Sequence, residues 1–364
     1  MSDAAFMRGA VALARRGLGQ TAPNPSVGCV IVRNGRVVGR GVTSPGGRPH
    51  AEVNALAMAG EQAHGATAYV TLEPCSFTGK SGPCTQALIQ VGIARVVVGA
   101  RDPHPRVNGA GLAQLRQAGL VVTESVLQAE CEALIAGIAC VHQHQRPLIR
   151  LKLASTLDGR IATVGGESKW ITGAPARREV QMLRARHDGV MVGIGTVLAD
   201  DPELICRIEG LRATPLVRLV VDCHLRTPLT ARLVAGVGQH PLWIIHGPGA
   251  DVARRAALTQ AGVKLFEVPV NAQGICLPEA FALLAQLGLT RILVEGGAKL
   301  AASLLHADMV DRVSWFHAPA IMGGDGLPAA QAFGIATLAH MPRFTPVSVR
   351  SLGVDVVSNF IRTD

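Results

Sequence analysis

Aromatic side chains are scarce in this sequence. Phe, Trp and Tyr together make up 3% of its 364 residues, and Tyr69 is the only tyrosine. Proteins that bind single-stranded nucleic acid stack the bases on aromatic side chains. The scarcity therefore argues against a dedicated single-strand binder, and we expect no nucleic-acid partner.

Long apolar runs are missing as well. No stretch of about 18 uninterrupted apolar residues occurs, so we expect neither a transmembrane helix nor a membrane partner. The N-terminal residues carry Asp3 and lack the apolar segment and cleavage site of a signal peptide. We therefore expect a cytoplasmic protein. Its eight scattered cysteines then suit reduced thiols better than a disulfide framework.

Positive charge is in excess but is not concentrated in one block. The formal net charge is +9, and the arginines are dispersed along the chain. Dispersed positive charge favours pockets for anionic small molecules, such as phosphorylated substrates, over a basic tail. With 48% hydrophobic and 17% charged residues, the chain can bury a large core, and its length predicts two domains.

The first half alternates helix and strand patterns, which predicts an α/β domain. Residues 4–16 have helical periodicity, with Gly17 placed as a C-cap. Asn34-Gly35 stands between two apolar runs and predicts a β-hairpin. We also predict helices that begin at Ala51 and Cys84, a helix over 111–118, and strands over 66–72, 95–99 and 120–123.

The second half has the same α/β character. The polar segment HQHQRP at 142–147 predicts the boundary, and we divide the chain into domains 1–145 and 146–364. A strand over 148–156 and a turn at Asp158-Gly159 open the second domain. Further strands are predicted over 189–192, 216–221, 242–245, 264–268, 291–294 and 313–317.

Three potential metal ligands accompany a glutamate in the first half. His50 and Glu52 begin one predicted helix, Cys75 follows a proline, and Cys84 begins another predicted helix. An imidazole and two thiolates suit zinc, and three protein ligands leave the fourth position open, as in catalytic sites. His-x-Glu followed by Pro-Cys and a second cysteine is the signature of zinc-dependent base deaminases. We therefore predict Zn²⁺ on His50, Cys75 and Cys84, with Glu52 as the catalytic proton carrier.

The two cysteines are separated by SFTGKSGP, a longer spacing than the common Pro-Cys-x-x-Cys. Lys80 in this insert is a candidate for contact with a substrate phosphate.

The first half as a whole contains, in order, NPSVGCVIV, PHAEVNAL, TLEPCSFTGKSGPC and DPHPRVNGAG. In these stretches it resembles the deaminase domain of the bifunctional riboflavin-biosynthesis deaminase/reductase family. The resemblance implies a cytidine-deaminase-like three-layer fold and a base pocket that includes Asn24. The chain departs from the family pattern at Phe77, at 81–83 and at His104, where the family usually has His, Thr-Pro-Pro and Asn.

The second half contains LKLASTLDGRIAT, GGESKWITG, VGIGTVLADDPELICR, VEGGAKLAASLL and APAIMGGDGLP. These stretches resemble the reductase domain of the same family, which implies a dihydrofolate-reductase-like α/β fold. Glycine-rich turns at Gly193, Gly195 and Gly296-Gly297 suit phosphate groups at helix N-termini. No G-x-G-x-x-G with a following acidic residue occurs, so a Rossmann fold is disfavoured.

The resemblance also implies the residues that bind the cofactor and the substrate of the reductase. The NADPH contacts would be Ala154, Trp170, Thr196, Asp200, Asp222, Gly297, Ala298, Lys299, Leu300, Ala301, Ala302 and Ser303. The substrate contacts would be Ser168, Arg184, Leu204, Arg207 and Glu295. Arg184 and Arg207 suit a ribose phosphate because guanidinium groups bind phosphate bidentately. Lys152 lies on a predicted strand facing the same cleft and receives a supporting role.

The resemblance implies a bifunctional enzyme that uses Zn²⁺ and NADPH and forms a homo-oligomer. It would deaminate 2,5-diamino-6-(5-phosphoribosylamino)pyrimidin-4-one and then reduce the ribosyl side chain of 5-amino-6-(5-phosphoribosylamino)uracil to ribityl. One alternative is a nucleic-acid base deaminase with an accessory domain. Another is a reductase whose deaminase half is impaired by Phe77. A third is a non-catalytic protein whose zinc is closed by His64 or His104 as a fourth ligand.

Overall fold

The computed structural model describes residues 2–78, 82–105 and 107–363. The chain divides into two compact units, 1–145 and 146–364. The segment 142–147, in which the domain boundary was predicted, is helical as far as His144. Within the described residues, no helix combines the length and the apolar character that a membrane crossing requires.

The first unit is built on a mixed β-sheet. Its helices are α1 (Asp3–Gly17), α2 (Ala51–Ala59), α3 (Cys84–Gln90), α4 (Ala110–Gln117) and α5 (Gln128–His144). Its strands are β1 (Gly28–Arg33), β2 (Arg36–Val42), β3 (Thr67–Leu72), β4 (Arg95–Ala100) and β5 (Val121–Thr123). Short 3₁₀ turns cover Pro45–Gly47 and Gly60–Ala63.

The sheet order is β2-β1-β3-β4-β5, with β1 antiparallel to both β2 and β3, and with β3, β4 and β5 parallel. Helix α1 packs close to Gly28, whereas α2 packs close to Gly41 on the opposite face of the sheet. Helix–sheet–helix layering is the predicted three-layer architecture, which is confirmed. Because β3 and β4 are parallel, the segments that follow them leave the same edge of the sheet.

Backbone φ values at two turns test the predicted hairpin and the predicted end of α1. The hairpin between β1 and β2 turns at Asn34 and Gly35, whose φ values are +50° and +73°, as a type I′ turn requires. The prediction of Gly17 as a C-cap is wrong. Gly17 is the buried last residue of α1, Leu18 is its C-cap, and the left-handed residue beyond the helix is Gly19 with φ +77°.

The second unit is built on a larger sheet. Its helices are α6 (Ala174–Ala185), α7 (Ile194–Asp200), α8 (Arg232–Ala235), α9 (Val252–Gln260), α10 (Leu277–Gln286) and α11 (Ala298–His306), with a 3₁₀ turn at Leu338–His340. Its strands are β6 (Leu148–Ser155), β7 (Arg160–Ala162), β8 (Gly189–Gly193), β9 (Val217–Val221), β10 (Leu242–His246), β11 (Lys264–Glu267), β12 (Val270–Asn271), β13 (Gly274–Ile275), β14 (Arg291–Val294), β15 (Arg312–His317), β16 (Leu327–Pro328), β17 (Phe344–Leu352) and β18 (Asp355–Arg362).

The main sheet has the order β11-β10-β9-β8-β14-β6-β15-β18-β17, which is parallel from β11 to β15 and antiparallel at β18 and β17. Apolar clusters cover both faces, as a parallel sheet requires. One cluster includes Leu151 and Phe281, and the other includes Val192 and Phe316. The predicted α/β character of the second half is therefore confirmed.

Candidate functional site

The three predicted metal ligands meet at one edge of the first sheet. His50 is the N-cap residue of α2, Cys75 follows β3, and Cys84 is the first residue of α3. The Nδ1 atom of His50 lies 3.3 Å from Sγ of Cys84 and 3.7 Å from Sγ of Cys75. All three donor atoms lie within 4.8 Å of one another. One imidazole nitrogen and two sulfurs at this spacing fit a zinc ion.

Hydrogen bonding shifts the pKa values of the two cysteine thiols in opposite directions. The side chain and the backbone N–H of Cys84 both donate toward Sγ of Cys75, the latter at 3.4 Å. The hydrogen bond from the Cys84 side chain lowers the pKa of Cys75 to about 4, while the same contact and burial raise the pKa of Cys84. The thiolate is the form that binds metal, so Cys75 is already in the ligating form near neutral pH.

Glu52 lies in the first turn of α2, beside the donors. Its side chain is buried, with 4% exposure. Burial raises the pKa of Glu52 to about 7. A carboxyl with a pKa near neutrality can both accept and return a proton, which is what a general acid–base residue requires.

The segments around the donors hold the remaining predicted residues of this site. The Nδ2 atom of Asn24 donates to the carbonyl oxygen of Gly47 at 2.9 Å, three residues before His50. Phe77 stacks on His104, with 5.8 Å between the ring centroids, and His104 meets His142 edge-on at 4.8 Å. Lys80 lies outside the described residues.

A fourth protein ligand is not found among the residues that the structure describes. The metal-ligand group there consists of His50, Cys75 and Cys84. His64 lies against Gly92, and His104 is stacked on Phe77. A closed structural zinc site is therefore not formed by the two histidines considered for it.

The second unit contains a cavity of about 880 Å³. It opens where β8 and β14 end, and the chain there turns through Gly296 and Gly297 with φ values of +130° and +86° before α11 begins. Backbone N–H groups at a helix N-terminus suit a phosphate group, and this turn brings such groups to the cavity. It is lined by ten of the predicted residues: Ala154, Ser168, Thr196, Asp200, Glu295, Gly297, Ala298, Lys299, Leu300 and Ser303.

Four predicted cofactor contacts lie away from the described lining of this cavity. Trp170 is 70% exposed, and the guanidinium of Arg177 covers its ring at 4.5 Å. Asp222 is buried at the end of β9, where its carboxylate accepts hydrogen bonds from the backbone and the hydroxyl of Thr227. Ala301 and Ala302 are buried on the face of α11 that packs into the unit. Cofactor contact by these four residues stays a prediction.

The predicted substrate arginines already have partners within the protein. Arg184 binds Glu295 bidentately, at 2.5 Å from Nε to Oε1 and at 2.8 Å from Nη2 to Oε2, and its Nη1 donates to the carbonyl oxygen of Ile205 at 2.8 Å. Arg207 is exposed and pairs with Glu203 at 2.7 Å. Neither lines the described part of the cavity, and direct phosphate binding by them stays a prediction. Leu204, three residues before Arg207, is buried and outside the described cavity lining, and its contact with the substrate stays a prediction.

Buried charge concentrates around Glu295. Burial opposes its ionisation, yet the nearby Arg184 and Lys152 hold the pKa of Glu295 below its usual range. Burial lowers the pKa of Lys152, whose Nζ lies 5.9 Å from the ring centroid of Phe316. Lys152 and Glu295 both line the cavity, where they can orient a polar substrate.

Some residues at the two sites had no predicted role. Glu73 is buried two residues before Cys75, and its carboxylate accepts hydrogen bonds from the backbone N–H groups of Asp102, Gly109 and Gly111. Cys223, His224 and Arg226 line the cavity after β9. Their position after an apolar parallel strand, at the same edge as the glycine turns, was the signal that could have identified them.

Two family models together match most of the chain. Residues 147–358 match the RibD C-terminal domain, and residues 1–100 match the cytidine and deoxycytidylate deaminase zinc-binding region. The chain is 40% identical to riboflavin biosynthesis protein RibD of Escherichia coli K12, covering 99% of this chain and 100% of that protein. It is 38% identical to RibD of Bacillus amyloliquefaciens, covering 99% of this chain and 96% of that protein.

Solved structures agree with this assignment. The chain is similar to Acinetobacter baumannii RibD, with a TM-score of 0.88, 37% identity, and coverage of 100% and 99% of the two chains. It is also similar to a diaminohydroxyphosphoribosylaminopyrimidine deaminase/5-amino-6-(5-phosphoribosylamino)uracil reductase from Thermotoga maritima, with a TM-score of 0.86, 32% identity and coverage of 99% of each chain. With its His-Cys-Cys site and its glycine-lined cavity, the chain belongs to the RibD family of bifunctional deaminase/reductases of riboflavin biosynthesis, which use zinc and NADPH.

Proposed function

We propose that residues 1–145 deaminate 2,5-diamino-6-(5-phosphoribosylamino)pyrimidin-4-one and that residues 146–364 reduce the ribosyl side chain of the product to ribityl. The observation that carries this proposal is the separation of the two chemistries. The open His50-Cys75-Cys84 group with buried Glu52 lies in one unit. The dinucleotide-sized cavity lies in the other.

In the deaminase site, His50, Cys75 and Cys84 would hold the zinc. Zinc, when bound, makes water nucleophilic near neutral pH. Glu52 Oε atoms would accept a proton from that water and pass it to the ring nitrogen and the departing amine. The pKa of about 7 that burial gives to Glu52 suits both halves of this transfer. Asn24 and Lys80 would contact the substrate.

In the reductase site, the glycine turn and the start of α11 would hold NADPH, together with Ala154, Thr196 and Asp200. The cofactor supplies the hydride, and the protein positions the substrate and excludes water. Glu295 would orient the substrate rather than supply a proton, and Ser168, Lys152 and the paired Arg184 support that position. The small-molecule substrate carries a phosphate, which fits the net charge of +9.

The experiment is a two-stage assay of the full chain. The diaminopyrimidinone is supplied first without NADPH, and ammonia is measured. NADPH is then added, and its oxidation is followed. We expect one ammonia per substrate before any oxidation. Removing zinc with a chelator should abolish ammonia release but leave the oxidation of NADPH on pre-deaminated substrate unchanged. Loss of both reactions on chelation would contradict the separation of the sites.

We also propose that a second copy of the chain covers the outer face of β17. This edge strand exposes Val347 and Val349, and Val354 in the turn that follows it is exposed as well. Exposed apolar side chains in a group are typical of protein interfaces. Analytical ultracentrifugation should therefore show an oligomer. A monomer at micromolar concentration would contradict the proposal that a second copy covers β17. The cytoplasmic location stays a prediction.

A further inference from the structure

Glu73 is a buried carboxylate with no role in the chemistry above. Its side chain is 3% exposed, and no ion pair with a basic side chain is found for it among the described residues. Its Oε1 accepts hydrogen bonds from the backbone N–H groups of Gly109 (3.0 Å), Gly111 (2.9 Å) and Leu112 (3.3 Å). Its Oε2 accepts from Gly109 (2.9 Å) and Asp102 (3.3 Å). The negative charge lies at the N-terminus of α4, which favours it.

Two glycines permit this close approach. Gly109 has φ +94°, a conformation that side chains disfavour. Gly111 has no room for a side chain, because a Cβ there would lie 2.2 Å from the carbonyl oxygen of Pro74 and 3.1 Å from Oε1 of Glu73. Pro74 directly precedes Cys75. The first turn of α4 is therefore packed tightly against the segment that carries a metal ligand.

The segment after β4, which is hydrogen-bonded to Glu73, also contacts the segment that follows Cys75. Asp102 donates its N–H to Glu73 and accepts the N–H of His104 at 2.8 Å. The His104 ring stacks on Phe77, two residues after Cys75. Since β3 and β4 are parallel neighbours, both segments stand at the edge where the zinc donors meet. The segment after β3 therefore contacts the segment after β4 at two places, through Glu73 and through Phe77.

We propose that Glu73 is a positioning residue of the deaminase. It fixes Asp102, His104 and the start of α4 beside the zinc donors, so that these residues form one wall against which the pyrimidine substrate binds. The inference rests on the proposed function, because it assumes that this edge binds the diaminopyrimidinone. Phe77 and His104, two of the positions at which the chain departs from its family pattern, contact each other and lie on the two segments that Glu73 joins.

The test is Glu73→Gln in the full chain. Glutamine keeps the shape and one accepting oxygen but turns an N–H₂ group toward backbone donors. We expect KM for deamination to rise about tenfold, while kcat changes much less, zinc remains at one per chain and the reductase rate is unchanged.

A matched control is Asp188→Asn. Asp188 is also a buried carboxylate, accepting the N–H groups of Thr290 (2.7 Å) and Arg291 (2.9 Å) in the second unit, and its loss should leave deaminase KM unaltered.

A second variant keeps Glu73 and moves the segment instead. Gly111→Ala places a methyl group against Pro74, and we expect the same rise in KM with zinc retained. An unchanged KM in both variants would overturn the inference and leave the proposed function intact. Loss of zinc together with kcat in both would overturn it too, because Glu73 would then build the metal site itself. A wild-type chain that releases no ammonia would overturn both proposals.

Discussion

The chemistry of a single residue depends on partners that are distant in sequence, and Arg184 is the clearest case. Its guanidinium suited a substrate phosphate on sequence grounds. In the structure its donors bind Glu295, 111 positions away, and the carbonyl of Ile205, 21 positions away. No local pattern reveals such contacts. Arg184 is therefore the counter-ion of Glu295, whatever contact it also makes with the substrate.

Removing Arg184 should damage the reductase alone. The Arg184→Ala change leaves Glu295 buried without its counter-ion, and breaking a buried ion pair costs roughly 3–5 kcal/mol. The side chains of the pair are only 12% and 7% exposed, so solvent cannot compensate. We expect NADPH oxidation to fall at least about tenfold and the unfolding of the second unit to shift to lower temperature, with ammonia release unchanged.

A suitable control for that experiment is Arg255→Ala. Arg255 pairs with Glu267 at 2.7 Å, but these side chains are 41% and 47% exposed. Exposed pairs contribute about 0–1 kcal/mol, so thermal stability and both activities should stay close to wild type. Equal effects of the two arginine changes would show that the Arg184–Glu295 pair has no special role.

At the scale of elements, the patterns that were predicted well are those with a local physical cause. The Asn34-Gly35 turn, the apolar strands over Thr67–Leu72 and Arg95–Ala100, and the helix that begins at Cys84 all follow from their own residues. The zinc donors were predictable for the same reason, because they lie in short motifs. The cavity was less predictable, because its lining comes from many separate segments between Lys152 and Gln331.

Helix α5 and strand β17 are among the elements that were missed, and the local signals of both are weak. Helix α5 begins after Leu127, a left-handed residue with φ +55°, and no side chain caps its N-terminus. The start signals of a helix are therefore lacking. Strand β17 is exposed along most of its length, so it has no buried face to impose an alternating pattern. Both elements depend on tertiary packing.

Helix α2 offers a test at this scale, because it carries both His50 and Glu52 against β2. A Cβ on Gly41 would lie 2.0 Å from the carbonyl oxygen of Ala51, so Gly41→Ala should push α2 away from the sheet. We expect the zinc content to fall below one per chain and ammonia release to fall with it. The reductase rate should not change.

The matched control is Gly9→Ala in α1. A Cβ there would lie 3.7 Å from Cγ2 of Val30, which is ordinary contact. Alanine is favoured over glycine within a helix, so zinc content and activity should be retained. If Gly41→Ala behaved like Gly9→Ala, the close packing of α2 on β2 would not be what places the metal donors.

At the scale of the whole molecule, each unit holds the parts that one reaction requires. The first unit has its own apolar core around β1 and β3, and its three metal donors come from within it. The second unit has apolar clusters on both faces of its sheet, and the lining of its cavity comes from within it. This separation predicts that either reaction can be removed without loss of the other.

The most direct test of that claim is Glu52→Gln, with ammonia release and NADPH oxidation measured side by side on the same preparation. General acid–base residues contribute about 10²–10⁴-fold to a rate. Ammonia release should fall by that order, zinc should remain at one per chain, and NADPH oxidation on pre-deaminated substrate should equal that of wild type. Ammonia release at the wild-type rate, or loss of both reactions together, would contradict the account.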